Sequence, residues 1–102
     1  MELNVFERII LLNVLPREGN FATLKILRQL RENLSFDEAE NKALAFREEN
    51  GRVQWKSDGD KPKEVEIGEK ATDIVVETLK ELDKQRKLTD EHFSLYEKFI
   101  GD

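Results

Sequence analysis

The only histidine of the chain is the first residue to test for chemistry, because imidazole can act as a base, an acid or a metal ligand near neutral pH. His92 lies next to Phe93, and the sequence has no cysteine and no second histidine to complete a zinc site. Acid–base catalysis would also require a second group that orients the ring within a cleft. We interpret His92 as an ordinary side chain on the flank of a helix.

Calcium is the other metal that the residue types suggest. Asp58, Gly59 and Asp60 provide oxygen ligands, but the EF-hand pattern needs more of them at fixed positions, and Lys61-Pro62 interrupts it. The segment is more typical of a turn.

The remaining catalytic patterns are also incomplete. No paired acids or nucleophile motif is visible. Gly68-Glu69-Lys70 lacks the upstream glycine and the directly following hydroxyl residue of a phosphate-binding loop. We predict that the protein is not an enzyme and has no catalytic residues, no metal and no cofactor. An active site whose carboxylates converge only in the folded chain is the remaining alternative.

Composition is typical of a globular protein. The 102 residues fit a single domain spanning 1–102, with 38% charged residues, 38% hydrophobic residues and a formal net charge of -5. No apolar run approaches the roughly 20 residues that a membrane helix needs, and the start of the chain does not resemble a secretion signal. We expect a cytoplasmic protein without a membrane partner.

The run Val5–Leu15 is the most apolar in the chain and has the period of a helix that ends before Pro16. Its polar side would carry Glu7 and Arg8. Towards its end apolar residues surround the helix, so this part must be covered by the rest of the chain or by a second copy.

Two further helices follow. Asn20 is a predicted N-cap for a helix over residues 21–34. Ser35 and Glu38 have the spacing of a capping box, which predicts a third helix from Phe36 to a left-handed C-cap at Asn50-Gly51.

The periodicity then changes from that of a helix to that of a strand, which predicts a β-hairpin over about residues 52–67. Pairing Trp55 with Val65 and Val53 with Ile67 places all four side chains on one face. We expect that face to lie on the helices, with Trp55 largely buried. Two more helices are predicted over about residues 69–100, the last one capped by Thr89.

The fold class is therefore α+β and mainly helical: three helices, a β-hairpin and two C-terminal helices. The turn NLSFDE and the strands GRVQWK and KEVEIG resemble those of a winged-helix domain. This resemblance implies that the two strands form the wing, and that the third helix enters the DNA major groove or, in many members, that the domain binds another protein. It also implies that the added C-terminal helices serve dimerisation.

DNA binding requires basic residues at the contact, but the third helix has an excess of acids. A DNA-binding regulator using helix 21–34 and the 52–67 hairpin is therefore the alternative. Its contacts would be made by basic residues on those two elements: Lys25, Arg28, Arg31, Arg52 and Lys56.

The favoured hypothesis is a non-catalytic protein-interaction module with an accessory or regulatory role that also forms a homodimer. The last helix carries an apolar stripe that either covers the end of the first helix or packs on a second copy. The candidate partner-binding residues are on these two helices: Leu11, Phe93, Tyr96, Phe99 and Ile100.

Overall fold

The computed structural model describes residues 1–56 and 60–101. This part of the chain is mainly helical, with five α-helices and a 3₁₀ turn at Asp90–His92 before the last helix. The helices are α1 (Val5–Val14), α2 (Phe21–Leu34), α3 (Glu38–Leu44), α4 (Glu69–Lys84) and α5 (Phe93–Phe99). Four short strands accompany them: β1 (Glu2–Leu3), β2 (Arg47–Glu49), β3 (Arg52–Gln54) and β4 (Lys63–Glu64). The expected α+β, mainly helical class is confirmed, and no described helix is long and apolar enough to cross a membrane.

Helix α1 forms the centre of the core, as predicted. Asn4 starts it with a capping box, in which its side chain accepts from the Glu7 amide at 2.7 Å. The helix ends at Val14, since Pro16 prevents its continuation. The core cluster combines buried apolar side chains of α1 and its C-cap with others from both halves of the chain: Leu3, Ile10, Leu11, Leu15, Leu27, Leu30, Leu34, Val65, Ala71, Val75, Leu79 and Leu95.

The predicted solvent face of α1 is wrong, because Glu7 and Arg8 are both buried. The Arg8 guanidinium donates to the Glu40 carboxylate and to the carbonyls of Leu34 and Ser35. Glu7 accepts from Lys98 Nζ at 2.7 Å. Charged groups can be buried here because each has an opposite charge and hydrogen-bond partners, which a periodicity of apolar residues does not reveal.

The start of the third helix is also corrected. Asp37, not Ser35, is the N-cap, and it forms a capping box with Glu40, so α3 starts at Glu38. Ser35 is the C-cap residue of α2, and its hydroxyl donates to the Arg31 carbonyl at 2.7 Å. The separate helices on either side of this turn agree with the prediction of a sharp break after Leu34.

The predicted pairing within a hairpin over residues 52–67 is wrong, because in the described residues its two strands pair with other strands and not with each other. Strand β3 pairs with β2, with Glu48 opposite Val53, while β4 pairs with β1, with Leu3 opposite Lys63. Asn50-Gly51 is the two-residue turn of the β2–β3 hairpin, not a helix C-cap, and both residues have positive φ. Helix α3 ends earlier, with Ala45 in the left-handed region.

Trp55 is half-buried at the base of this hairpin and is not docked through Val65. Its ring lies 6.4 Å from that of Phe6 and 6.2 Å from that of Phe46, while its indole N–H donates to Asp60 at 3.3 Å. Phe46 in turn packs edge-on against Phe36. This aromatic row joins the hairpin to α1 and to the turn before α3.

The two predicted C-terminal helices are present as α4 and α5, and both pack on the core. Helix α4 packs on α2, and α5 packs on α4 and α1. Leu95 is fully buried, and Tyr96, Phe99 and Ile100 pack against the core cluster. The end of α1 is thus covered within a single chain.

Candidate partner-binding site

A pocket of about 370 Å³ lies where the end of α4 meets the 3₁₀ turn and α5. We call it the α4–α5 pocket. Its walls combine apolar and aromatic side chains with two acids: Asp83, Leu88, Thr89, His92, Phe93, Tyr96, Glu97 and Gly101.

The turn after α4 places the two walls of the pocket face to face. Arg86 has a left-handed φ of 59°, and its N–H donates to the Asp83 carbonyl, while Lys87 N–H donates to the Leu82 carbonyl. These two bonds form a Schellman motif, which ends α4 and reverses the chain. Leu88 then anchors the connection on the core, so α5 returns beside α4.

His92 is held by the residue that starts the 3₁₀ turn. The Thr89 N–H donates to His92 Nδ1 at 3.0 Å, and the Thr89 hydroxyl lies 3.2 Å from the same nitrogen. In the neutral ring this leaves the proton on Nε2. The ring therefore closes a capping interaction while it lines the pocket, which goes beyond the helix-flank position that we predicted.

Tyr96 connects the two helical walls. Its hydroxyl donates to Asp83 Oδ2 at 3.3 Å. Desolvation and the neighbouring Asp83 carboxylate both raise the pKa of Tyr96 above 10. Tyr96 thus stays a protonated donor at neutral pH.

Charge and exposure distinguish this pocket from an ordinary apolar gap. Its lining contains the two carboxylates of Asp83 and Glu97 and no lysine or arginine. In the described part of the chain, neither carboxylate takes part in an ion pair. Phe93, which lines the pocket, is 64% exposed. An open aromatic surface next to negative charge is suited to a cation that has an apolar portion.

The predicted partner-binding residues are divided between this pocket and the core. Phe93 and Tyr96 both line the pocket. Leu11 is fully buried, and Phe99 and Ile100 pack on the core cluster, so these three support α1 and α5 from inside. The sequence could not separate these two sets of residues, because helical spacing shows which side chains share a face but not which face the rest of the chain covers.

Asp83 and Glu97 are pocket residues that sequence reasoning missed. Glu97 could have been found, because it follows Tyr96 and lies four residues after Phe93 on the same helix. Asp83 could not, because its position beside Tyr96 depends on the reversal at Arg86.

The basic residues of the DNA-binding alternative lie on separate elements. Lys25 and Arg28 are exposed on α2, Arg52 is exposed on β3, and Lys56 is exposed just beyond it. Arg31 instead donates to the Pro16 carbonyl at 2.6 Å. Arg31 thus fixes the connection between α1 and α2.

The acids with the clearest electrostatic perturbation lie away from this pocket. The hydrogen bond from Arg8 is the main cause that lowers the pKa of Glu40 to about 2. Burial acts to raise the pKa of Glu7, but hydrogen bonds, the strongest from Lys98, outweigh it and lower the pKa. Both are ionised partners in internal ion pairs.

Metal ligands do not converge in the described residues: within 1–56 and 60–101 no three acidic or histidine side chains form a group that could hold a metal ion. Asp58 and Gly59 of the candidate calcium segment lie outside the described residues. Asp60 is described, and its carboxylate accepts from the Trp55 indole and from the Val5 N–H.

Comparison of the chain with protein-family models, curated proteins and solved structures finds no match.

Proposed function

We propose that this protein is a non-catalytic protein-interaction module of the cytoplasm, with an accessory or regulatory role, that binds a basic side chain of its partner in the α4–α5 pocket. The observation that supports this proposal is the lining of the pocket, which combines exposed aromatic surface with two carboxylates and has no lysine or arginine.

An arginine or lysine of the partner matches this lining in both of its parts. Its aliphatic stem packs against Leu88 and Phe93, and its charged end reaches the carboxylates of Asp83 and Glu97. The aromatic faces of Phe93 and Tyr96 attract the same charge through their π-electrons. A neutral side chain of equal size gains only the apolar part of these contacts.

The ionised state of the perturbed acids favours binding over acid–base catalysis. A general acid at neutral pH needs a carboxyl group whose pKa is raised towards 7. Glu7 and Glu40 have lowered pKa values and opposite charges beside them, which suits a structural role.

A winged-helix-like arrangement remains our proposal for the architecture. Three helices are followed directly by the exposed β2–β3 hairpin, which takes the position of the wing. The hairpin is shorter than the predicted one and follows α3 more closely in sequence. The two C-terminal helices form the α4–α5 pocket.

Selection of peptides from a random displayed library tests the proposed function directly. We expect the selected peptides to share an arginine or lysine next to apolar residues, and butylguanidinium to compete with them. The double variant Asp83→Asn, Glu97→Gln should weaken their binding about tenfold or more, because two charge-assisted contacts are lost.

A charge-matched control separates a local effect from the general effect of net charge. The double variant Asp73→Asn, Glu77→Gln changes two exposed acids of α4 that do not line the pocket, and it should bind the peptides like the parent. Selected peptides without basic residues, or equal binding by both double variants, would contradict the proposal.

A further inference from the structure

The β2–β3 hairpin exposes apolar surface at a second site, separate from the α4–α5 pocket. Val53 is 49% exposed and Phe6 is 38% exposed, and both line a groove of about 480 Å³ between β3 and α1. We call it the hairpin groove. Trp55, Ile9 and Ile10 provide further apolar lining, and its only charged lining residues are Arg52 and Glu91.

The outer edge of β3 faces away from β2, its only strand partner in the described part of the chain. In an antiparallel ladder, successive residues direct their N–H and C=O groups alternately towards the partner strand and away from it. Counted from the Asn50-Gly51 turn, the backbone N–H and C=O groups of Arg52 and Gln54 point towards β2, whereas those of Val53 point away from it. Lys56 lies two residues after Gln54, so its N–H should point to the same side, and it does donate to the Leu44 carbonyl at 2.7 Å.

This edge is complementary to itself. An antiparallel pairing about a two-fold axis at Val53 joins the two Val53 backbones by a pair of hydrogen bonds. It brings the two valine side chains together and sets Arg52 opposite Gln54 of the other copy. The groove beside it has one positive and one negative residue, so it does not repel its own copy.

The other edge of the hairpin is less suited to such pairing. A two-fold pairing of β2 about Glu48 would place two carboxylates directly opposite each other, which destabilises a ladder. Strand β3 is therefore the edge that can pair with its equivalent.

We propose that two copies of the protein associate through their β3 edges, forming a four-stranded sheet and covering the exposed apolar surface of the two hairpin grooves. The interface explains why Val53 and Phe6 remain exposed at the same place. The hairpin groove and the α4–α5 pocket share no lining residue, and the β3 interface does not rest on the proposed function.

Sedimentation equilibrium of the full chain and two charge-matched variants tests this interface. The parent should form dimers at micromolar concentration. Val53→Glu places two carboxylates face to face at the axis and should raise the dimer dissociation constant about tenfold or more. Gln54→Glu adds the same charge to the same strand but faces Arg52 of the other copy, so it should leave the dimer intact or tighten it.

Oxidative cross-linking gives a second measurement, because the chain contains no cysteine. Residues paired at the axis have Cα atoms about 5.5 Å apart, a distance that a disulfide can span. Val53→Cys should therefore form a covalent dimer rapidly, and Arg28→Cys, on exposed α2, should not. A parent that stays monomeric at high micromolar concentration overturns the proposal, as does a dimer that Val53→Glu leaves unchanged.

Discussion

Arg8 has all three guanidinium nitrogens engaged inside the chain. Nε donates to the Leu34 carbonyl at 3.2 Å, Nη2 donates to the Ser35 carbonyl at 2.7 Å, and both terminal nitrogens reach Glu40. The guanidinium also lies 4.0 Å above the ring of Phe36. One side chain of α1 therefore fixes the end of α2 and the start of α3.

The Arg8–Glu40 pair makes folding stability depend on pH. The pKa of Glu40 is lowered from 4.5 to about 2, so its contribution is complete above pH 4.5 and is lost as the pH falls towards 2. We expect Glu40→Gln to lower the free energy of unfolding by about 3 kcal/mol at pH 7, because the buried Arg8 loses its countercharge. Urea denaturation at several pH values should show this difference shrinking towards pH 2.

Glu38→Gln is the control for this prediction. Glu38 pairs with Lys42 on the exposed face of α3, where an ion pair contributes little, so its removal should change stability by less than about 0.5 kcal/mol. A Glu40→Gln variant whose difference from the parent is the same at pH 3 and pH 7 would contradict the pH assignment.

The same contact explains why the start of α3 could not be predicted from the sequence. Ser35 with Glu38 and Asp37 with Glu40 are overlapping capping boxes of equal quality in sequence. The second one forms because its glutamate also reaches Arg8, and because the Ser35 hydroxyl is used at the end of α2. A contact between residues far apart in sequence decides between two local signals.

Among the elements, the long helices were predictable and the strands were not. Helices α1, α2 and α4 have sustained periodicity, and the expected N-cap residue precedes α2. The strands contain only two or three residues each, too few to show a clear alternation. Asn50-Gly51 suits both a helix end and a tight hairpin, and the ladder between Arg47–Glu49 and Arg52–Gln54 shows which one forms.

The turn that ends α4 contains a removable strain. Arg86 adopts φ of 59°, a conformation that costs an L-residue free energy and that glycine adopts freely. We expect Arg86→Gly to raise the free energy of unfolding by about 0.5 to 1 kcal/mol, the gain being limited by the greater entropy of glycine in the unfolded chain. Thermal or urea denaturation measures this change.

The neighbouring residue provides the matched control. Gln85 has a helical φ of -82°, so glycine relieves nothing there and Gln85→Gly should destabilise the protein by about 0.5 to 1 kcal/mol. Equal effects of the two substitutions would show that the left-handed turn carries no strain.

Across the whole molecule, the two ends of the chain are joined. Lys98 of α5 donates to Glu7 of α1 at 2.7 Å and to the Glu2 carbonyl at 2.8 Å. Leu95 lies in the same core cluster as Leu11. The C-terminal helix is thus an integral part of the fold, and the sequence left this arrangement open because the same apolar stripe could equally have faced a second copy.

Two residues of α5 separate its role in folding from its role at the surface. Leu95 is fully buried in the core cluster, so Leu95→Ala should lower the free energy of unfolding by about 2 to 5 kcal/mol. Phe93 is mostly exposed, so Phe93→Ala should change stability by about 0.5 kcal/mol or less while weakening peptide binding in the α4–α5 pocket. Urea denaturation of both variants beside the parent measures the two changes in the free energy of unfolding. If α5 were a loosely attached extension, Leu95→Ala would leave the main unfolding transition unchanged, and a large loss with Phe93→Ala would instead place that ring in the core.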